Sequence, residues 1–360
     1  MNPLSIGIVG GGWRAEFYIR IAQALPNICR IQAMVIRNED KGEEIEKRWG
    51  IRTFRTIANM AAATDIDFAV VSVPRSVAPA IIAELVEHNI PALAETPPAA
   101  DLQSLISLHE SLPVDAKVQV AEQYLFQPMH AARIALVRSG KLGKISHAQV
   151  SAAHDYHGVS LIRQLLGIKF EDAVISGQRY SAPIVEGPGR QGDPSAERMR
   201  TSQQSIVTLR FGDKLAVYDF TGEQYFSWIR RNRMVVRGSH GEIVDQSAAY
   251  LLDYETPIYT ELRRVDTGHN GNLEGYYHRG IIAGEEWVYR NPFQLARLSD
   301  DEIAIATALV KMGEYVKGGP SFYSLAEASQ DHYLALMMEQ AINEGKEVVT
   351  SHQIWTRPRV

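Results

Sequence analysis

The sequence predicts an α/β fold that begins with a doubly wound parallel sheet and continues into a region made mostly of strands. Two observations carry this prediction. Over the first 120 residues, short runs that are apolar throughout alternate with amphipathic stretches, as expected for parallel strands buried on both faces. Beyond Gln127, strand-like segments follow one another as far as EEWVYRN. The 360 residues are enough for two domains of ordinary size.

Six apolar runs are the predicted strands of the parallel sheet. Helical spacing lies between them, as in the stretch from Ala80 to His88 and again from Asp101 to Leu112. Strands that alternate with helices in this way favour a sheet with helices on both faces. The runs are LSIGIV (4–9), IQAMVI (31–36), IRTF (51–54), FAVVSV (68–73), PALA (91–94) and KVQVA (117–121).

The later part of the chain is predicted to combine a helix, a hairpin, a loop and terminal helices. A helix is expected in QPMHAARIALVRSGKLG, with Pro128 in its first turn and Gly140 at its end. The segments 204–211 and 214–221 flank a Gly-Asp turn and predict a hairpin. Residues 181–200 are rich in Pro and Gly and are expected to form a mobile loop, either an ordinary connection or a functional lid. Helical spacing returns at 305–316 and 325–342.

Composition and charge exclude several classes of function. The formal net charge is −5 and no dense Lys/Arg block is present, so nucleic acid and anionic membranes are not expected partners. No apolar stretch approaches the roughly 18 residues needed to span a bilayer, and the N-terminus lacks the features of a signal peptide. Cys29 is the single cysteine, which rules out an intrachain disulfide and fits a reducing compartment. We therefore expect a cytoplasmic protein.

A glycine-rich turn follows the first predicted strand directly. In SIGIVGGGWRAEFY, Gly10, Gly12 and Ala15 form a G-x-G-x-x-A spacing at the strand-to-helix junction. Gly10 permits the tight turn, Gly12 leaves room for a pyrophosphate beside backbone N–H groups, and Ala15 lets the helix pack closely on the strand. The helix N-terminus adds the positive end of its dipole. The turn predicts dinucleotide binding; its alternative is a structural turn in an unrelated α/β fold.

The end of the second predicted strand indicates which dinucleotide is bound. An NAD site usually carries an acid there, which accepts a hydrogen bond from the ribose 2′-hydroxyl. This chain has Ile36, followed by Arg37 and Asn38, and a guanidinium can hold a 2′-phosphate. We therefore predict NADP as the cofactor, with NAD as the alternative. A solvent-facing Arg37 in an acidic segment is the other interpretation of this residue.

Several motifs resemble those of the Gfo/Idh/MocA oxidoreductases, the group of glucose–fructose oxidoreductase and inositol dehydrogenase. They are the glycine-rich turn, AETPP, VAEQYLFQPMHAARIALVRSGKLGKI and SLAEASQDHYLALMMEQA, which are distributed over nearly the whole chain. The resemblance implies a Rossmann dinucleotide-binding domain in residues 1–123 and a substrate-binding α/β domain in 124–360. The second domain would hold a large, mostly antiparallel open sheet, and its final helix would pack back on the first domain. Because this sheet often forms the oligomer interface in the family, we expect a homodimer or homotetramer.

The chain departs from the family at positions that bear on its chemistry. The family carries Glu-Lys-Pro after its fifth strand, where the Lys positions cofactor and substrate and passes a proton. Glu95 and Pro97 match this motif, but Thr96 replaces the Lys, and a hydroxyl cannot carry the charge of an ammonium. The family's Thr-Pro-Asn motif keeps only its Pro, and the Asn of the next motif is a Gln. The candidate cofactor-binding residues are Gly10, Gly12, Trp13, Arg14, Arg37, Asn38, Val73, Pro74, Glu95, Thr96 and Gln123.

The segment AAHDYHG contains the predicted acid–base centre. Of the family's Asp-x-Gly-x-His-x-x-Asp motif, the His is kept as His157 and both Asp positions are lost. We expect His157 to exchange the proton with the substrate oxygen, since an imidazole acts as acid or base near neutrality. Asp155 or His154 would orient it or bind a hydroxyl, and Tyr124 would line the same cleft. The alternative is a capped helix start with Asp155 as the N-cap. No metal site is predicted, because no further ligand accompanies these residues.

These features predict an NAD(P)-dependent dehydrogenase or reductase that acts on CH–OH groups. It would transfer a hydride between the nicotinamide and a secondary alcohol or carbonyl of a sugar, polyol or related small molecule. Two alternatives remain open from the sequence. One is a dinucleotide-binding sensor or structural protein that has lost redox activity, and the other is a hydrolase or lyase that uses NAD for transient oxidation.

Overall fold

A parallel sheet with flanking helices forms the first part of the chain. The computed structural model describes residues 2–293 and 296–356. Within residues 2–123, the elements are β1 (Leu4–Val9), α1 (Trp13–Ala24), β2 (Cys29–Val35), α2 (Glu39–Trp49), β3 (Thr53–Phe54), α3 (Ile57–Ala63), β4 (Phe68–Val71), α4 (Ala78–Glu87), β5 (Ala92–Ala94), α5 (Leu102–Ser111) and β6 (Val118–Val120). The strands are parallel and lie in the order β3-β2-β1-β4-β5-β6, which is the order of a Rossmann fold. The predicted strands of the parallel sheet are confirmed.

Local sequence signals explain where the helices around this sheet begin and end. The side-chain oxygen of Asn38 accepts a hydrogen bond from the backbone N–H of Lys41 at 2.8 Å and so caps α2. Gly50 ends the same helix with a φ of 66°, a conformation that glycine adopts without steric cost. Asp101 caps α5 in the same way, through the N–H of Ser104 at 2.8 Å.

Long strands dominate the second part of the chain. Within residues 124–293 and 296–356, the elements are α6 (Pro128–Arg138), β7 (Ile145–Ser151), α7 (Asp155–Leu166), β8 (Val174–Val185), β9 (Met199–Phe211), β10 (Lys214–Thr221), β11 (Arg233–Gly238), β12 (Gly241–Val244), β13 (Ser247–Leu251), β14 (Pro257–His269), β15 (Asn272–Ala283), β16 (Glu286–Arg290), α8 (Asp300–Val316), α9 (Leu325–Glu344) and β17 (Val348–Val349), with 3-10 helices at Tyr124–Phe126, Gly222–Tyr225 and Ile354–Thr356. Over these described residues the strands form one sheet in the order β16-β15-β14-β13-β12-β11-β7-β10-β9-β8-β17. Neighbours are antiparallel except β7 and β10, which are parallel. The predicted fold class is therefore confirmed.

One prediction for the large sheet is wrong in its bounds. The predicted hairpin is present, with Phe211 paired to Lys214. The predicted loop 181–200 is too long at both ends, because β8 extends to Val185 and β9 begins at Met199. Continuous backbone pairing along these two strands outweighs the local Pro and Gly signals. The Pro and Gly residues interrupt strand structure only in the connection between Val185 and Met199.

The helices at the end of the chain join the two sheets. α8 packs on the parallel sheet and shares a hydrophobic core with β1 and α1. α9 contributes Leu325 and Ala328 to a core of the parallel sheet, and Leu334 and Met338 to the core of the large sheet. These shared cores fix the position of one sheet against the other. No helix of the described residues is long and apolar enough to cross a membrane.

Candidate active site

A cavity of about 720 Å³ lies where the carboxyl ends of β1, β4, β5 and β6 face the start of α7. Open α/β sheets bind their ligands at this edge, and the volume is within the range of small-molecule and cofactor sites. The predicted site residues that line it are Gly10, Gly12, Trp13, Arg14, Val73, Pro74, Glu95, Thr96, Gln123, Tyr124, His154 and His157.

Three predicted residues lie outside this cavity. Arg37 is exposed beyond the end of β2, and it is Lys41, from the first turns of α2, that reaches the cavity wall. Asn38 is used as the cap of α2. Asp155 lines a neighbouring cavity, and it is the first residue of α7, with His154 at the N-cap position. The alternative interpretation of Asp155 as an N-cap is therefore wrong.

The glycine-rich turn leaves space for a phosphate group in front of α1. Gly10 has a φ of 111°, and a side chain there would place its Cβ 2.1 Å from the carbonyl oxygen of Ser72. A Cβ at Gly12 would meet no described atom within 4 Å. Gly12 is the N-cap of α1, and no described side chain caps this helix. The first N–H groups of α1 therefore remain available to an anion.

Glu95 is held at the edge of the cavity by two donors. Arg14 Nε donates to Glu95 Oε1 at 2.9 Å, and the Tyr18 hydroxyl donates to the same oxygen at 2.5 Å. Arg14 also pairs through Nη1 with Asp301 at 3.3 Å. With its amide oriented to satisfy both neighbours, Gln123 accepts a further hydrogen bond from Arg14 Nη2 at 3.1 Å. The guanidinium is thus a fixed positive charge beside Glu95 at the edge of the cavity.

His157 forms a buried pair with Glu122. Its Nδ1 lies 2.6 Å from Glu122 Oε2, and the two side chains are 5% and 1% exposed. The other carboxylate oxygen accepts the backbone N–H of Tyr124 at 3.0 Å, and the Tyr124 ring packs 4.4 Å from the imidazole. Nε2 of His157 makes no hydrogen bond within the described part of the chain. Because His157 lines the cavity, this second nitrogen is the one available to a ligand.

Burial determines how this pair holds its proton. Removal from water lowers the pKa of His157 to about 3, and the nearby positive charge of Arg14 contributes to the lowering. Burial likewise raises the pKa of Glu122 to about 8. At neutral pH the pair therefore carries no net charge and keeps one proton between Nδ1 and the carboxylate. His157 Nε2 then carries a hydrogen, and it becomes a free acceptor when the pair loses its proton at higher pH.

Two phenols hold His154 beside His157. The two imidazoles lie 4.9 Å apart in an edge-to-face contact. The Tyr225 hydroxyl contacts His154 Nδ1 and accepts its backbone N–H at 3.0 Å. The Tyr156 hydroxyl lies 3.3 Å from His154 Nε2 and donates to the Thr96 carbonyl at 3.4 Å. Burial lowers the pKa of His154 to about 4, so it stays neutral and serves to fix this wall of the cavity.

Several residues of the site were missed by the sequence analysis. Glu122 directly follows the predicted strand KVQVA. A lone acid at the carboxyl end of a buried parallel strand indicates a site residue, because ligands bind at that edge of the sheet. Tyr225 and Asp301 reach the cavity from distant segments. Arg190 comes from the connection between β8 and β9 and places its guanidinium 4.4 Å from the Trp13 ring centroid. No local pattern indicates these three contacts.

Comparison with known proteins agrees with this geometry. Residues 4–122 match the Gfo/Idh/MocA model, an oxidoreductase family with an NAD-binding Rossmann fold. Levoglucosan dehydrogenase, solved with NADH and levoglucosan, has a TM-score of 0.71 at 16% identity, covering 97% of this chain and 99% of that one. A myo-inositol dehydrogenase from Corynebacterium glutamicum has a TM-score of 0.65 at 18% identity, with 98% and 100% covered. An oxidoreductase from Agrobacterium radiobacter, in complex with NAD+, L-tartaric acid and magnesium, has a TM-score of 0.65 at 15% identity. The match covers 96% of this chain and 98% of that one. The search of curated proteins found no match.

The Rossmann sheet, its open glycine-rich turn and the family match define the class of this protein: an oxidoreductase built to bind a nicotinamide dinucleotide. Residues 4–122 match the Gfo/Idh/MocA model, so the resemblance predicted from the sequence and the predicted enzyme class are confirmed. The solved structures, each at 18% identity or less, show that the remainder of the chain shares the same fold.

Proposed function

We propose that this protein is an NADP-dependent dehydrogenase or reductase that interconverts a secondary alcohol and a carbonyl on a sugar, polyol or related small molecule. One observation carries the proposal. The Glu122–His157 pair presents Nε2 to the same cavity that the glycine-rich turn lines. Hydride chemistry on an alcohol requires a dinucleotide site and a proton-exchanging group at one place.

The chain's own residues suit a dinucleotide. The cradle at Gly12 is empty of described side chains, the N–H groups of α1 stand in front of it, and the cavity continues from there to Glu95 and His157. When bound, the nicotinamide would supply the hydride chemistry. Glu95, fixed by Arg14 and Tyr18, would form the wall beside that ring.

The proton would move through His157. For alcohol oxidation, Nε2 in its unprotonated form accepts the hydroxyl proton of the substrate, and Glu122 stabilises the positive charge that then develops on the imidazole. For carbonyl reduction, Nε2–H gives its proton to the carbonyl oxygen, and the proton shared with Glu122 moves fully onto Nδ1, which leaves a neutral imidazole beside a carboxylate. Glu122 acts here as a positioning residue, because it contacts the imidazole and does not line the cavity.

Arg14 would supply the positive charge that Thr96 cannot. Its guanidinium lies among Glu95, Asp301 and Gln123 in the wall of the cavity. An arginine does not give up its proton in a protein, so it stabilises negative charge on a substrate oxygen without shuttling a proton. The division of labour proposed is therefore Arg14 for charge and His157 for the proton.

The preference for NADP rests on the positive charges after β2. Arg37 is exposed at this strand end, and Lys41 reaches the cavity from α2. Ile36, in place of the acid expected for NAD, removes the acceptor for a free ribose 2′-hydroxyl. These two cations, and the absence of an acid at position 36 where the NAD acceptor is expected, favour a 2′-phosphate.

The carbohydrate-like substrate class is supported by the polar lining around His157 and by the dehydrogenases that share the fold. Those structures were solved with levoglucosan and, in another complex, L-sorbose. In this chain the hydroxyls of Tyr124, Tyr156 and Tyr225 face the same cavity, and hydroxyl groups donate to and accept from polyols.

A turnover assay distinguishes this function from its alternatives. The protein is incubated with NADP+ or NADPH and a panel of monosaccharides, polyols and ketoses, while cofactor absorbance and product are followed. Net conversion of cofactor with product formation supports the proposal. Cofactor binding with no turnover of the panel contradicts it and favours the sensor. Product without net cofactor change contradicts it and favours the hydrolase or lyase.

We also propose that the protein assembles as a homodimer or homotetramer through the open face of the large sheet. Three strands of this sheet carry an exposed apolar side chain. Leu215 on β10 is 40% exposed, Val244 on β12 is 40% exposed, and Tyr259 on β14 is 80% exposed. Apolar side chains spread over a broad sheet favour a partner surface. Light scattering at micromolar concentration should give a dimeric or tetrameric mass; a monomeric mass would contradict this assembly.

A further inference from the structure

We propose that the cavity beside the active site binds a second sugar-like unit, so that the preferred substrate is a disaccharide and not a single ring. This inference rests on the proposed substrate class and deepens it. The second cavity has a volume of about 650 Å³ and lies over β8, β9 and β10, next to the first residue of α7.

The two cavities meet at shared residues. His154 and Phe226 line both of them. The connection between β8 and β9 also borders both cavities. Its residues Gly187 to Gly189 line the second cavity, and Arg190 lines the first. A ligand that reaches Nε2 of His157 can therefore extend past His154 into the second cavity without leaving the protein surface.

The charges of the second cavity favour a neutral ligand. Arg200 pairs with Glu223 at 3.4 Å, and Arg179 pairs with Glu339 at 2.5 Å. Both guanidinium groups are thus already matched. The Asp155 carboxylate, by contrast, makes no hydrogen bond or ion pair with the residues that the structure describes. Arg179 also lies within electrostatic range of Asp155. A cavity whose cations are paired and whose carboxylate has no hydrogen-bond donor disfavours a phosphate or a sugar acid and suits hydroxyl donors.

The backbone at Asp155 explains why its carboxylate belongs to the second cavity. This residue has a φ of 38°, and its N–H donates to the Tyr218 hydroxyl at 2.9 Å. A non-glycine residue in the left-handed region is costly, and such residues concentrate at functional sites. Asp155 lines the second cavity, whereas the hydrogen-bond partner of His157 is Glu122.

The remaining lining combines amide, hydroxyl and aromatic groups. Gln203 is exposed on β9, and Ser205, also on β9, accepts a hydrogen bond from Arg179 Nε at 3.2 Å. Phe220 and Phe226 provide apolar faces. Small-molecule sites typically pair such apolar faces with a few placed polar groups. A pyranose ring, with apolar C–H faces and a rim of hydroxyls, matches this composition.

Isothermal titration with defined sugars tests the subsite. The protein saturated with NADPH is titrated with methyl β-D-glucopyranoside, cellobiose, maltose and lactose. At least one disaccharide should bind about tenfold or more tightly than the methyl glucoside, because the second ring adds hydrogen bonds and buried area. Gln203→Trp, which fills the second cavity, should abolish this advantage and leave the methyl glucoside affinity unchanged. Gln103→Ala, an exposed change on α5 away from both cavities, is the matched control and should alter neither affinity.

The outcomes separate this inference from the proposed function. Equal or undetectable binding of all four sugars overturns the subsite, as does a disaccharide advantage that survives Gln203→Trp. Monosaccharide oxidation without any disaccharide preference overturns the subsite and leaves the redox function intact. A disaccharide advantage that Gln203→Trp removes, with no conversion of cofactor, supports the subsite and contradicts the redox function.

Discussion

The two ends of the active-site cavity are built in different ways. The cofactor end is local, because one strand, one glycine-rich turn and one helix supply its phosphate cradle from Leu4–Val9 to Trp13–Ala24. The end around His157 draws on Glu95, Glu122, Tyr225 and Asp301, which lie far apart in the chain. Backbone N–H groups serve the first end, while buried titratable side chains serve the second.

This difference bears on Thr96, which stands where the resemblance predicts a Lys. The cofactor cradle does not involve position 96, so the Thr there leaves it intact. The proton end depends on side chains whose charge is set by burial, and there Glu122 and His157 provide a pair that exchanges a proton. The two ends should therefore respond separately to substitution.

The largest effect is expected at His157. His157→Ala should lower kcat by at least roughly 100-fold, within the 10²–10⁴-fold range for loss of a general acid–base, and leave NADPH affinity nearly unchanged. Steady-state kinetics and fluorescence titration measure the two quantities. His109→Ala is the control, since His109 is also buried but bonds to Ser329 away from the cavity. Near-parental kcat in His157→Ala would assign the proton to Tyr124 or water.

Substitution at the cofactor end should change cofactor affinity. The parent protein should bind NADPH more tightly than NADH, and Arg37→Ala should weaken NADPH by about 1–3 kcal/mol, the strength of a charge-assisted hydrogen bond, with little change for NADH. Protein fluorescence titration measures both affinities. Arg30→Ala, at the opposite end of β2, is the matched control. Equal affinities in the parent, or unchanged NADPH binding in Arg37→Ala, would contradict the cofactor assignment.

The pH dependence tests the Glu122–His157 pair directly. Below the Glu122 pKa of about 8 the pair holds its proton and Nε2 is a donor, so kcat/KM for carbonyl reduction should be high there and fall as pH rises through this value. Alcohol oxidation should show the reverse rise. Glu122→Gln cannot titrate, so this step should disappear while NADPH affinity is retained. A step that persists at the same pH in the variant would remove Glu122 from the proton path.

The smallest effect is expected at Thr96. Its hydroxyl relays a hydrogen bond at most, so Thr96→Ala should lower kcat by less than about tenfold, the loss of one neutral hydrogen bond. The kinetic assay used for His157→Ala measures this loss, and the losses of kcat in the two variants are then compared. If Thr96→Ala were the more damaging change, the proton path would have to run beside Pro97 and not through the imidazole.

Most of the fold and the cofactor end were predictable from the sequence because they depend on local patterns. Continuous apolar runs identify the buried parallel strands, and the spacing of Gly10 and Gly12 identifies the turn. The bounds of 181–200 were not predictable, because strand pairing between β8 and β9 is a long-range effect. His157 was predictable through a resemblance, whereas Glu122, the partner of its Nδ1, was not among the residues predicted to orient it.

The reason that Glu122 escaped prediction is geometric. Asp155 is two residues from His157 along the chain, but it has a left-handed backbone conformation and lines another cavity. Glu122 is distant in sequence, yet the carboxyl end of β6 brings it within 2.6 Å of the imidazole. The pKa shifts of both groups follow from burial, which spacing alone does not reveal.

The most direct test of the central claim is a crystal structure with NADPH bound. The claim is that one cavity brings the dinucleotide and the proton-exchanging imidazole together. We expect the pyrophosphate at the Gly12 cradle and the nicotinamide beside Glu95, with its C4 facing His157 Nε2 across a gap that admits one substrate ring. A nicotinamide bound outside this cavity, or one whose C4 faces away from His157, would contradict the account.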